Sequence, residues 1–232
     1  RSGEDKFDLI FIDPPYKSGL GELAVDAAFD LGRVAEGGTV VYEHSSELPF
    51  KCAREDVKVR TKVMGSVTVE FIRKKTTGLV TGTFDPVTKG HMEVIEKALR
   101  LFDEVVVAVL VNPEKKCMFT PEERLALLNA ALSDNTRVKT LYSEDYAVDV
   151  ARRVGADKLV RGVRGEGDEA YENAMAEYNR SHGFDTVFVT PERYADVSST
   201  RARELISKGD FRLLPENAII TAEEIIRRKG KP

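Results

Sequence analysis

The sequence predicts an α/β protein with a parallel, doubly wound sheet, and two observations carry that expectation. From about residue 78 onward, strand-length apolar runs alternate with helix-length amphipathic stretches, the pattern of repeated strand–helix units. Ahead of them stands a shorter strand–helix–strand set that ends in β-rich sequence. The boundary falls in the basic, hydroxyl-bearing stretch Arg73-Lys74-Lys75-Thr76-Thr77. Two domains are therefore expected, over residues 1–75 and 76–232.

In the first, Phe7–Ile12 reads as a strand, Leu20–Leu31 as a helix and Thr39–Glu43 as a second strand. Apolar continuity in these two strands predicts burial on both faces. Asp56–Val63 and Ser66–Arg73 follow, with Met64-Gly65-Ser66 as a hairpin turn. In the second, strands are expected at Leu79–Thr81, Glu104–Val111, Arg137–Leu141, Lys158–Val160 and Thr186–Val189. Helices are expected at Gly90–Phe102, Pro121–Ser133, Tyr146–Val154, Glu166–Arg180, Ser199–Lys208 and Thr221–Arg228. Thr120-Pro121-Glu122-Glu123 is a capping box with proline in the first turn, and Gly209 closes the helix before it.

Composition narrows the function. Charged residues make up 32% and hydrophobic ones 42%, with a net charge of −4, so a global positive field that gathers nucleic acid is absent. Cys52 and Cys117 have no metal or disulfide spacing, and reduced thiols in a cytoplasmic setting are expected. The longest apolar runs are strand-length, so no membrane partner is expected. The chain opens on Arg1 and is expected to be a fragment or processed piece.

Chemistry concentrates in Thr81-Gly82-Thr83-Phe84-Asp85-Pro86-Val87-Thr88-Lys89-Gly90-His91. A buried strand runs into a glycine-bearing loop where backbone can approach a ligand closely. The loop opens a helix whose N–H groups suit a phosphate, and His91 can donate to a phosphoryl oxygen. Val197-Ser198-Ser199-Thr200 is a second helix start able to hold phosphates.

These residues resemble the nucleotidylyltransferase superfamily, in its phosphopantetheine adenylyltransferase branch, and the resemblance spans about residues 78–220. It extends to Asn112-Pro113-Glu114-Lys115-Lys116, Met118-Phe119-Thr120, Arg161-Gly162-Val163-Arg164, Asp168, Tyr171-Glu172, Asn179-Arg180 and Leu214-Pro215-Glu216-Asn217. A Rossmann-like domain is implied, with ATP and 4′-phosphopantetheine as substrates, magnesium carried with ATP, and a homo-oligomer, hexameric in the family. The 4′-phosphate would attack the α-phosphorus of ATP, giving dephospho-coenzyme A and pyrophosphate. By resemblance His91, Lys115 and Arg161 are the catalytic residues. ATP falls to Thr83, Phe84, His91, Gly162, Val163, Arg164, Glu172, Tyr194, Val197, Ser198, Ser199 and Thr200. The acceptor falls to Thr83, Lys115, Ala147 and Arg161. Thr200 and Arg203 depart from the branch, which usually has a third serine. Ser-Ser-Thr-x-x-Arg also occurs in nicotinate-mononucleotide adenylyltransferases, so another phosphate acceptor is the alternative.

The other sharp motif is Asp13-Pro14-Pro15-Tyr16 after the first strand. With Gly37–Glu43 and the hairpin, it resembles the carboxyl-terminal part of the 16S ribosomal RNA guanine-N2 methyltransferase, which implies a partial α/β half-sheet. No Gly-x-Gly cofactor loop precedes Asp13. S-adenosylmethionine is therefore not expected to bind this chain alone. RNA would be a partner only with a complete methyltransferase unit upstream, as in a longer bifunctional protein.

Overall fold

A computed structural model describes residues 5–15, 18–112, 115–163 and 166–230, without the side chains of 166–171. Two compact units divide the chain, Arg1–Lys75 and Thr76–Pro232. The first contains β1 (Phe7–Ile12), α1 (Leu20–Asp30), β2 (Val34–Ser45), β3 (Val57–Met64) and β4 (Val67–Lys74). Its four strands lie in the order β1-β2-β4-β3. β1 pairs parallel to β2, and the other pairings are antiparallel. Gly65 takes φ 65°, and the turn closes the Met64–Val67 pair as the hairpin reading required. One face packs Ile12, Val40, Tyr42 and Ile72 against Val25 and Ala28 of α1.

Burial of the first strand on both faces is corrected. β2 has the consecutive buried run Val40-Val41-Tyr42, whereas Phe7, Leu9 and Phe11 of β1 are 50%, 57% and 67% exposed. Strand side chains alternate between faces. Ile10 and Ile12 pack with the α1 core, while their odd-numbered neighbours point the other way from an edge strand.

The second unit runs β5 (Thr77–Gly82), α2 (Lys89–Leu101), β6 (Glu104–Leu110), α3 (Pro121–Ala131), β7 (Val138–Ser143), α4 (Ala147–Val154), β8 (Lys158–Gly162), α5 (Glu166–Ser181), β9 (Thr186–Val189), α6 (Ser199–Ile206) and α7 (Glu216–Lys229). The strands form one sheet in the order β7-β6-β5-β8-β9, with every pairing parallel. The same period of two splits β6 between two layers. Val105, Val107 and Val109 join a core with Val94, Ile95 and Ala98 of α2 and Leu127 and Leu128 of α3. Val106 and Ala108 join Val150 and Ala151 of α4 on the opposite face. The last helix starts earlier than expected. Pro215 precedes it, and Ala218, Ala222 and Ile225 form its buried stripe, so the apolar period begins ahead of Thr221.

The chain moves outward from β5 on one side and then on the other. That topology puts the switch point, where ligands of such sheets bind, at the carboxyl end of β5. Close packing holds β5 from its first residues. A Cβ on Gly78 would lie 2.6 Å from Cδ2 of Phe102, a buried ring. Gly78→Ala is expected to cost about 1–3 kcal/mol through overpacking, read as a lowered urea midpoint. Adding Phe102→Leu to the same chain should recover part of the loss.

Candidate active site

The loop after β5 is tied down on both sides. Arg124, itself buried, donates from Nη1 to the carbonyl oxygen of Thr83 at 2.9 Å. The carboxylate of Asp85, 2% exposed, accepts from the backbone N–H of Met118 and of Phe119, both at 2.9 Å. Arg203 donates to the Asp85 carbonyl at 2.7 Å. Between these anchors Phe84 adopts φ 47°, a left-handed conformation costing roughly 1–3 kcal/mol in a non-glycine residue. The surrounding bonds hold it there, and its buried ring meets the imidazole of His91 edge-on, with centroids 4.9 Å apart.

Thr88 caps α2. Its hydroxyl accepts from the His91 N–H at 3.4 Å, and its own N–H donates to Nδ1 of His91 at 3.1 Å. Thr88 and His91 thus form a reciprocal capping box in which the imidazole takes the place usual for Glu or Gln. An Nδ1 that accepts cannot carry the proton of a neutral imidazole, so that proton resides on Nε2.

Thr83, Phe84, His91, Lys115, Arg161, Gly162, Ser198, Ser199 and Thr200 line one cavity of about 500 Å³, together with Asp85 and Arg203. Lys115 donates from Nζ to the Thr83 hydroxyl at 3.2 Å. Arg161 is gripped in fork geometry by Glu172, at 2.8 Å from Nε and 2.6 Å from Nη2. Its Nη1 donates to the Thr81 carbonyl at 3.0 Å. Ser198 caps α6 by accepting from the Arg201 N–H, Ser199 donates to the Pro86 carbonyl, and Arg203 donates to the Thr200 hydroxyl. The start of α6 is thereby joined to the β5 loop.

Other expected site residues lie outside the lining. Val163 donates its N–H to the Val189 carbonyl. Glu172 reaches the cavity through Arg161. Tyr194 and Val197 lie on the approach to α6, joined by a backbone bond from the Val197 N–H to the Tyr194 carbonyl. Ala147 opens α4 and packs on the core of the opposite sheet face. Arg164 and Tyr16 fall outside the described residues, as do the side chains of Asp168 and Tyr171. Asp13, Pro14 and Pro15 follow β1, with Asp13 exposed.

Sequence reasoning gave no role to Asp85, Arg124 or Glu93. Glu93 carried one legible sign, an acid inside the apolar stripe of α2. It is 2% exposed. Burial pushes its carboxyl up, but N–H donors from Glu192, Arg193 and Tyr194, with the Arg193 charge, outweigh that and hold it below the usual carboxylate range.

Residues 79–205 match the cytidylyltransferase-like family, more than half of the chain. The chain belongs to that family. A phosphopantetheine adenylyltransferase from Porphyromonas gingivalis is 37% identical over 153 residues, covering 63% of this chain and 99% of that protein. One from Streptococcus gordonii is 45% identical over 135 residues, covering 56% of this chain and 82% of its own. A bifunctional NMN adenylyltransferase/ADP ribose pyrophosphatase from Francisella tularensis superposes with a TM-score of 0.51 at 17% identity, over 66% of this chain and 50% of that one; that likeness is one of fold. Residues 1–73 match conserved hypothetical protein 95, across the segment that carries Asp13-Pro14-Pro15-Tyr16.

Two expectations follow for this cytidylyltransferase-like unit. Asp85→Asn replaces an acceptor oxygen with an amide that faces an N–H, so a loss of about 1–3 kcal/mol is expected for the unsatisfied pair, measured by denaturant titration. Because the Glu93 carboxyl is depressed in the folded state, its contribution is fully present well above the ordinary carboxylate range of the unfolded chain and is lost as pH falls through that range toward the folded value. Stability measured from pH 5 downward should therefore fall less steeply in Glu93→Gln than in the unsubstituted chain.

Proposed function

We propose that the second unit transfers AMP from ATP to 4′-phosphopantetheine, giving dephospho-coenzyme A and pyrophosphate. The observation that carries this reading is the convergence of Thr83, His91, Lys115, Arg161 and Ser198–Thr200 on one cavity at the carboxyl end of β5. Homology to phosphopantetheine adenylyltransferases supports the choice of acceptor.

An acceptor phosphate oxygen attacks the α-phosphorus, a new P–O bond forms, and the bond from the α-phosphorus to the α,β-bridging oxygen breaks. Pyrophosphate leaves with that electron pair. The nucleophile is already an anion, so no base has to generate it. Positioning and charge stabilisation then supply the rate. The Nε2–H of His91 donates to an α-phosphoryl oxygen, and Thr88 keeps that proton on Nε2. Lys115 and Thr83 orient the acceptor phosphate. Arg161 lines the cavity with its guanidinium plane fixed by Glu172 and the Thr81 carbonyl. Ser198, Ser199 and Thr200, with the N-terminus of α6, hold the β- and γ-phosphates.

The cavity is lined by hydroxyl, imidazole, ammonium and guanidinium groups, a donor set suited to phosphate oxygens. The Asp85 carboxylate is taken up by two N–H donors and Arg203. Magnesium brought by ATP would be held by the triphosphate itself and would neutralise its charge. The first unit is proposed as a methyltransferase-like segment.

The test is pyrophosphate release from ATP, with phosphopantetheine or nicotinate mononucleotide as acceptor. Phosphopantetheine should support release and the mononucleotide should not. His91→Ala should lower kcat by about 10²–10³, the usual cost of a lost transition-state donor, and Lys115→Ala should also raise the acceptor KM. Release that does not depend on phosphopantetheine, or a His91→Ala variant as fast as the parent, would contradict the proposal.

A further inference from the structure

Glu93 stands one short step along α2 from His91, yet its carboxylate faces away from the cavity lining. It accepts three backbone N–H bonds from a single loop. Oε1 receives Glu192 at 2.8 Å and Arg193 at 3.2 Å, and Oε2 receives Tyr194 at 3.1 Å. A carboxylate 2% exposed is costly to bury unless its oxygens are matched, and here consecutive donors match them. Lys97, one turn later on α2, adds a bond to the Thr190 carbonyl at 2.6 Å and another to Glu192 at 2.6 Å.

This loop leads directly into the phosphate-binding start of α6. The Val197 N–H returns to the Tyr194 carbonyl, Ser198 caps α6, and Ser199 bonds to Pro86 in the β5 loop at 3.0 Å. The segment 190–199 is therefore anchored at its near end by Glu93 and Lys97 and at its far end by Pro86. α2 carries His91 at its beginning and the loop anchor in its next residues, so one rigid helix sets the spacing between two groups of phosphate ligands.

We infer that Glu93 is a positioning residue for the nucleotide, acting through residues 192–200. Its loss should weaken binding of the ATP triphosphate while leaving the acceptor side of the cavity intact. The inference rests on the adenylyl-transfer reading for its kinetics, but its binding consequence can be read alone.

The experiment uses the full chain and an ATP analogue with a methylene group between the α- and β-phosphates. Calorimetry should show about tenfold weaker binding for Glu93→Gln, the scale of a lost charge-assisted hydrogen-bond set. The KM for ATP should rise by a similar factor, with the KM for phosphopantetheine unchanged. Lys97→Met, which leaves the buried carboxylate in place, should move the ATP constant in the same direction by a smaller factor. Its readout stands even where Glu93→Gln fails to fold. Analogue binding in folded Glu93→Gln equal to that of the parent would overturn the inference, as would equal rises in both KM values. So would an unchanged ATP constant in Lys97→Met. An unsubstituted chain that binds the analogue but releases no pyrophosphate with phosphopantetheine would instead count against the reaction assigned above.

Discussion

The reciprocal bonds between Thr88 and His91 are the constraint on which the rest of the site depends. They start α2 at a defined residue, and they also decide where the imidazole proton resides. A free histidine would divide its proton between two ring nitrogens and turn about its side-chain bonds. Here the Thr88 N–H claims Nδ1 and the Phe84 ring closes one side. The orientation of the imidazole is thus a by-product of helix capping.

The same economy governs charge. The chain is acidic overall, but cationic groups surround the β5 loop, and each does a separate job. Arg124 and Arg203 are spent on loop carbonyls, which fixes a backbone that would not hold φ 47° unaided. Asp85 gathers the N–H groups of 118 and 119, bringing the segment that follows Lys115 against the loop. The loop, the 115–119 segment and the start of α6 are therefore joined by hydrogen bonds at the Asp85 carboxylate, the Asp85 carbonyl and the Pro86 carbonyl.

What could be read in advance divides along a physical line. Local interactions were legible: the Thr120 capping box, the Gly65 turn and the alternation of strands and helices all announce themselves within a few residues. The Thr83–His91 loop was legible because its chemistry is contiguous. Asp85 lay in plain view within that loop, but its partners are 33 and 34 positions away, and no local rule supplies them. Glu93 meets its donors at separations of 99 to 101 residues. β1 failed for a related reason. Its composition is that of a central strand, but sheet order is a long-range property, and the order β1-β2-β4-β3 puts it at an edge.

The pairing of Arg161 with Glu172 sharpens the electrostatic account. A guanidinium held in fork geometry by a carboxylate is well oriented, yet most of its charge is cancelled at a distance. Arg161 is thus better suited to directing a phosphate over short range than to attracting one. In the proposed reaction the attraction would come from elsewhere: Lys115, which rests on a neutral hydroxyl, and the positive ends of α2 and α6. Those helix ends are fixed dipoles whose position is set by the Thr88 and Ser198 caps. Capping therefore supplies both the direction of the His91 proton and much of the field that would draw the triphosphate in. An acidic chain can hold a polyanion this way, because the field is built from backbone ends at one sheet edge and does not require a surplus of basic side chains.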